Sequence, residues 1–125
     1  MTGVQTCALP ISPTLVFDDQ DKLYLVLGSP LGSVIINFVA QTLVSTLDWG
    51  MDIQAAISSP RFGSRNGPTE IEKGTSIENL TGALTAMGHE VRVVDLPSGL
   101  HGIMRTPQGW QGGADPRRDG IALGR

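Results

Sequence analysis

Sulfur, imidazole and aromatic rings are scarce in this sequence. Its 125 residues include one cysteine, two histidines, two tryptophans, one tyrosine and three phenylalanines. The cysteine and the histidines, His89 and His101, do not stand at metal-ligand spacing with any acid, and no other cofactor is implied. Positive charge is also thin. Nine basic against twelve acidic residues give a net charge of −3, and only Arg117 and Arg118 are adjacent. That distribution argues against a nucleic-acid surface. No apolar run reaches the roughly 18 residues that a membrane span needs. Asn37, Gln41, Ser45 and Asp48 interrupt the longest one. Internal repeats and low-complexity segments are missing. So are a serine–histidine–acid set and paired carboxylates at useful positions.

The remaining composition is that of a globular chain, 40% apolar and 17% charged. Its length allows one domain at most, or a piece of one. Sixteen glycines and eight prolines imply many turns. The stretch Val4-Gln5-Thr6-Cys7-Ala8-Leu9-Pro10-Ile11 has neither the basic start nor the long apolar centre of a signal peptide. It resembles the translation of a common sequencing-adapter oligonucleotide. Residues 1–11 are therefore expected to be an artefactual leader, with the natural protein continuing upstream of Ser12. Cys7 is then not a natural residue, and cysteine usage says nothing about redox compartment.

Thr14–Phe17 and Leu23–Leu27, joined by acidic and amide residues, predict a β-hairpin. Neither strand alternates cleanly, which predicts cover on both faces. A helix is expected from Ser33 to Trp49. Its polar residues Asn37, Gln41, Ser45 and Asp48 form one narrow stripe on an otherwise buried cylinder, with Gly50 as its stop. Asp52 caps a second helix, Ile53 to Ser58, ended by Pro60. Arg61 to Pro68 reads as a loop and Thr69–Glu72 as a short strand. Thr75 and Glu78 have capping-box spacing for a helix from Ile77 to Met87. Strands are expected at Val91–Val94, Gly99–Met104 and Trp110–Gln111. The class is α+β, with a mixed sheet covered by helices on one side.

The segment Gly28-Ser29-Pro30-Leu31-Gly32-Ser33 joins an apolar strand to the long helix. Backbone N–H groups at a helix start, together with the positive end of the dipole, suit a carboxylate, a phosphate or a developing oxyanion. On its own such a loop is also an ordinary tight turn.

Several motifs give the loop a context. Ser12-Pro13-Thr14, Gly28-Ser29-Pro30, Ile35-Ile36-Asn37, Asp48-Trp49-Gly50-Met51-Asp52, Ala56 with Pro60-Arg61, Gly88-His89 and Gly113-Ala114-Asp115-Pro116-Arg117-Arg118-Asp119-Gly120 occur in order. Together they resemble the C-terminal part of the small subunit of the γ-glutamyltransferase (γ-glutamyltranspeptidase, glutathione hydrolase) family. Phe62 to Glu70 resembles a bacterial branch of it. The resemblance implies an αββα N-terminal nucleophile hydrolase in which a threonine, freed by self-cleavage, attacks the γ-glutamyl amide of glutathione or a similar substrate. An acyl-enzyme forms and is resolved by water or an amine. No counterpart of the threonine motif is found in this sequence, nor of the paired serines that hold the substrate carboxylate. The chain alone is expected to be inactive, with the large subunit and the rest of the small subunit as its partners. The resemblance further implies that the backbone N–H groups of Leu31 and Gly32 form the oxyanion hole, supported by Gly28, Ser29 and Pro30. Leu31 stands where the family has glycine. The family is commonly periplasmic or secreted. A free-standing anion-binding module, or a related acylase with another acyl substrate, are the alternatives.

Outside the loop, His89 is expected to be solvated or to cap the preceding helix. His101 is expected to be more buried, with a catalytic role as the minor reading. Asp115 to Asp119 either binds an anion or, as preferred, pairs its charges internally to hold the terminal segment. The stripe on the long helix lines a groove or, more usually, faces solvent or a neighbouring element.

Overall fold

A computed structural model describes residues 13–30 and 32–124. The expected leader, Leu31 of the loop and Arg125 lie outside the described residues. The expected hairpin forms from β1 (Thr14–Phe17) and β2 (Leu23–Gly28). Its turn is held by Asp18, whose carboxylate accepts from the N–H groups of Gln20 and Lys22 at 2.9 Å each. A 3-10 turn at Gly32–Val34 leads into α1 (Ile35–Leu47), so the regular helix is two residues shorter at each end than expected. α2 (Ile53–Ser58) is as predicted, with the Asp52 carboxylate accepting from Ala55 N–H at 2.9 Å.

The chain continues through β3 (Phe62–Gly63), β4 (Thr69–Glu72), a 3-10 segment at Ser76–Leu80, α3 (Thr81–Ala86) and β5 (Val91–Val94). It closes with the hairpin β6 (His101–Thr106) and β7 (Gly109–Ala114). The expected single helix over 77–87 is thus split. The capping box does not form, because Thr75 donates its hydroxyl to Glu72 O at 2.8 Å. The Glu78 carboxylate takes Gly74 N–H instead. β3 also interrupts the predicted loop over 61–68.

Instead of one mixed sheet there are two. β1-β2-β6-β7 is antiparallel throughout, and β3-β4-β5 is the mixed sheet, its β4–β5 pair being parallel. Parallel strands need a crossover, and the segment containing α3 supplies it. The main core lies between β2, β6, α1 and α2, where Leu25, Leu27, Ile35, Phe38, Ile53, Ile57 and Leu100 are each no more than 2% exposed. The other face of the four-stranded sheet is bare. Leu15, Phe17, Ile103 and Trp110 are 49–56% exposed there, so the expected cover on both faces is not supplied by the described residues. Nor is α1 buried all round: Ile36, Val44 and Leu47 reach the surface.

The α1 stripe does face a neighbour. Asn37 Nδ2 reaches Ser64 O at 3.5 Å, and the Gln41 amide donates to Phe62 O. Ser45 is buried while Asp48 is exposed.

Charge inside the protein is concentrated at the C-terminal end of α2, where helix carbonyls lack partners of their own. Arg61, 1% exposed, donates Nη2 to Ile57 O at 2.5 Å and Ala56 O at 3.3 Å, and Nη1 to Thr42 Oγ1 at 3.2 Å. Its guanidinium carbon sits 5.7 Å from the centroid of the Phe38 ring. Arg117 donates to Ile57 O at 3.2 Å and Ser59 O at 2.9 Å. It also pairs with Glu72 and, at 3.1 Å, with Asp115. Two cations thus meet the negative end of one short helix. Burial pulls the Arg61 pKa down to about 10, helped by the charge of Arg117 and resisted by Asp115 and Glu72, so it stays charged at neutral pH. The hydrogen bond to Glu72 raises that of Arg117.

Two measurements check this account. Arg61→Ala takes a charged donor from Ala56 O and Ile57 O and one partner from Thr42 Oγ1, and is expected to cost about 1.5–3 kcal/mol of unfolding free energy in urea. The second concerns Asp18, whose carboxyl the Arg105 hydrogen bond holds down at about 2, assisted by the N–H of Lys22. A depressed carboxyl stabilises the fold above its unfolded pKa and loses that effect as pH falls toward 2. NMR titration is expected to find that midpoint in the parent chain and a rise toward 3.8 in Arg105→Gln.

Candidate functional site

The Gly28–Ser33 loop begins where β2 runs out. Gly28 is the last paired residue of that strand, opposite His101 at the start of β6. Ser29 is buried, 3% exposed, and its hydroxyl has no hydrogen-bond partner among the described residues. Pro30 returns to the surface. Gly32 opens the 3-10 turn at φ +29°. Nothing lies within 4 Å of the place a Cβ would take there, so conformation rather than crowding asks for glycine. Val34, at the cap position of α1, supplies no side-chain hydrogen bond. Among the described residues no side chain caps this helix start, and the 3-10 turn takes up part of its N–H groups.

Three neighbours that the sequence reading did not assign to the loop hold it. Gly99 lies against Pro30 so closely that a Cβ there would stand 2.8 Å from Pro30 Cγ and 3.0 Å from Cδ. Arg65 Nη1 donates to Ser33 Oγ at 3.0 Å and pairs with Glu70 at 3.3 Å. Asp115, fully buried, accepts from the Ser98 hydroxyl and from Leu100 N–H at 3.3 Å, clamping the backbone on either side of Gly99. A glycine in a Pro-Ser-Gly run already signals a turn. An arginine 32 residues away from its serine gives no sequence signal.

The other candidates fall in place as follows. His101 is exposed rather than buried, because the N-terminal end of β6 lies at the sheet margin. Its Nδ1 lies 2.9 Å from Gly99 O, which can only accept, so Nδ1 carries the hydrogen. His89 is exposed as expected, but its Nδ1 contacts Thr69 Oγ1 at 3.1 Å rather than a helix carbonyl. Asp115 and Arg117 are used internally, as preferred above. A cleft of about 470 Å³ opens beside the loop between Pro30, Gly99, His101 and the segment Arg117–Gly120. A larger, apolar groove of about 580 Å³ runs along the C-terminal half of α1 past Trp49, Phe62 and Leu80. Among the described residues no group of three metal-binding side chains assembles, and no helix is long and apolar enough to cross a membrane.

The family model for γ-glutamyltranspeptidase matches residues 9–125. The Escherichia coli glutathione hydrolase proenzyme is 39% identical over 110 residues, 86% of this chain and 19% of the relative. A solved acivicin-inhibited γ-glutamyltranspeptidase superposes with a TM-score of 0.79 at 33% identity, over 87% of this chain and 61% of that one. A cephalosporin acylase from Bacillus halodurans gives 0.72 at 29% identity, over 81% and 20%. The chain belongs to the γ-glutamyltranspeptidase family and is part of an N-terminal nucleophile hydrolase fold. It spans about one fifth of the length of the curated relatives it matches.

The geometry predicts that Gly99→Ala displaces Pro30, because a proline ring cannot rotate out of the way. About 1–3 kcal/mol of stability is expected to be lost in urea unfolding, with amide shifts concentrated at residues 28–33 in NMR.

Proposed function

We propose that this chain is the C-terminal part of the small subunit of an enzyme that cleaves glutathione. It passes the γ-glutamyl group to water or an amino acid through a threonine acyl-enzyme. The threonine and the carboxylate-binding residues come from the remainder of the small subunit and from the large subunit. As the threonine hydroxyl attacks the γ-glutamyl carbonyl, charge develops on the carbonyl oxygen. In this reading the backbone N–H groups of Leu31 and Gly32 receive that oxyanion, on a loop supported by Gly28, Ser29 and Pro30. One such donor is worth about 2.7–4 kcal/mol of transition-state stabilisation.

The observation that carries the reading is the loop itself: a strand-to-helix turn with a left-handed glycine and no capping side chain. It is found in a chain of this family. The bare sheet face with Leu15, Phe17, Ile103 and Trp110 supports the two-subunit reading, since a second sheet is the natural cover for it. In the acivicin-inhibited relative the C-terminus has critical roles in autoprocessing and catalysis. Here the C-terminal segment brings Arg118 Cδ within 3.3 Å of the Cβ position of Gly99, next to Pro30. An acylase acting on another acyl group is the second reading, favoured by the cephalosporin acylase neighbour. Glutathione is preferred because the hydrolase relative is 39% identical and the acylase 29%. The same reading makes the enzyme periplasmic or secreted.

The test replaces the matching segment of the Escherichia coli relative with residues 13–125. The hybrid is expected to process itself and release p-nitroaniline from γ-glutamyl-p-nitroanilide. Replacing the Gly32 N–H by an ester oxygen (glycolate at position 32, by semisynthesis of the hybrid) removes one donor, keeps the backbone free to hold φ +29°, and is expected to lower kcat about 10²–10³-fold. An unchanged kcat overturns the oxyanion assignment. The 125-residue chain by itself is expected to show no turnover, and a measurable rate refutes the assignment of the nucleophile to another segment.

A further inference from the structure

The polar stripe of α1 extends back into the turn that opens the helix. Ser33, Asn37 and Gln41 stand four positions apart, so they follow one another along one side. Each meets the β3–β4 hairpin. The Gln41 amide donates to Phe62 O, Asn37 Nδ2 donates to Ser64 O at 3.5 Å, and Ser33 Oγ accepts from Arg65 Nη1 at 3.0 Å. The partners advance from 62 to 65 as the helix positions fall from 41 to 33. The hairpin therefore runs alongside α1 in the opposite direction, and its tip arrives at the Gly32–Val34 turn.

The hairpin is shaped for this contact. A Cβ at Gly63 would strike the Asn37 amide, so a bare backbone lets the helix side chain lie against it. Asn66 takes a left-handed φ of 63°, and the Ser64 hydroxyl donates to Gly67 O at 2.8 Å, which closes the tip. Arg65 stands on that closed tip. Its Nη2 lies 3.3 Å from Glu70 Oε1 and 3.5 Å from Oε2, so β4 holds the guanidinium from behind while Nη1 reaches forward to Ser33. Among the described residues this is the only side-chain hydrogen bond to the Gly32–Val34 turn.

We propose that Arg65 is a positioning residue for acyl transfer: through Ser33 it holds the turn that aims the Gly32 N–H at the oxyanion. Gly32 has no side chain to anchor it, and glycine leaves its φ of +29° at little cost. The anchors must lie on either side. Pro30 is pressed against Gly99 before it, and Ser33 is bonded to Arg65 after it. A donor aimed at developing charge works only when held to within about 0.5 Å of its place. The role in turnover rests on the acyl-transfer reading; the strut between Arg65 and Ser33 does not.

Two measurements test it. In the 125-residue chain, ¹⁵N order parameters at Gly32 and Ser33 are expected near the rigid value of about 0.85 and should fall toward 0.6 in Arg65→Gln. In the hybrid enzyme, Arg65→Gln is expected to lower kcat per processed enzyme about fivefold with KM within about twofold. Ser33→Ala should do the same, and the double variant should be no worse than either single one, because both remove one bond. Arg92→Gln, which takes another exposed arginine from the same small sheet, is expected to change nothing. A mobile turn in the parent chain, an unchanged order parameter in Arg65→Gln, or losses that multiply in the double variant overturn the strut. A raised KM at constant kcat overturns the positioning role. A hybrid slowed by the Gly32 ester yet indifferent to Arg65→Gln refutes this proposal alone. A hybrid indifferent to the ester, beside a turn that loosens in Arg65→Gln, refutes only the oxyanion reading.

Discussion

The buried contact between Asp115, Arg117 and Glu72 is what the rest of the molecule leans on. Glu72 closes β4, Arg117 belongs to the terminal segment, and Asp115 follows β7 directly. One ionic cluster therefore joins both sheets to the end of α2. Burying these charges is costly unless each is paired and hydrogen-bonded. That condition is met: Glu72 also accepts from the backbone N–H of Arg61 at 2.7 Å, and Asp115 accepts from four different donor groups. Directional bonds of this kind fix position more sharply than apolar contact, which tolerates sliding.

From that cluster a short mechanical path leads to the candidate site. Asp115 holds Ser98 and Leu100, Gly99 between them touches Pro30, and Pro30 begins the turn into α1. The conformation of the loop is therefore set by residues nearly seventy positions downstream of it. A local reading of Gly28–Ser33 finds the donors and the helix start. It does not find what keeps them still.

The elements were largely legible wherever a local signal existed. The Asp52 cap, the Asp18 turn and the apolar runs of β2 and α1 each act through neighbours a few residues away. What escaped depends on distant partners. The two-sheet arrangement requires β4 to pair with β5 and not with β2, and nothing in Thr69–Glu72 alone specifies that. Arg61 in a glycine- and serine-rich stretch reads as a surface residue, yet it is buried because α2 ends with carbonyls that need donors. Thr75 and Glu78 have the right spacing for a capping box, but each finds a better partner one turn away. His101 lies in an apolar run and still reaches solvent, because its ring falls at the sheet margin. At the site, the glycine of the left-handed turn was visible as a residue type. Its neighbours Gly99 and Arg65 were visible only as letters.

The uncovered sheet face has a thermal consequence. Leu15, Phe17, Ile103 and Trp110 are already half hydrated in the folded chain, so unfolding wets less new apolar surface than a domain of this length ordinarily hides. The heat-capacity increment should fall below the usual value of about 12–15 cal/mol/K per residue. At a given maximum stability the curve is then broader, with cold and heat denaturation drawn further apart. Once another sheet lies on that face, the same residues would deepen the curve. The curvature of the whole assembly would then belong in part to the seam and not to either piece.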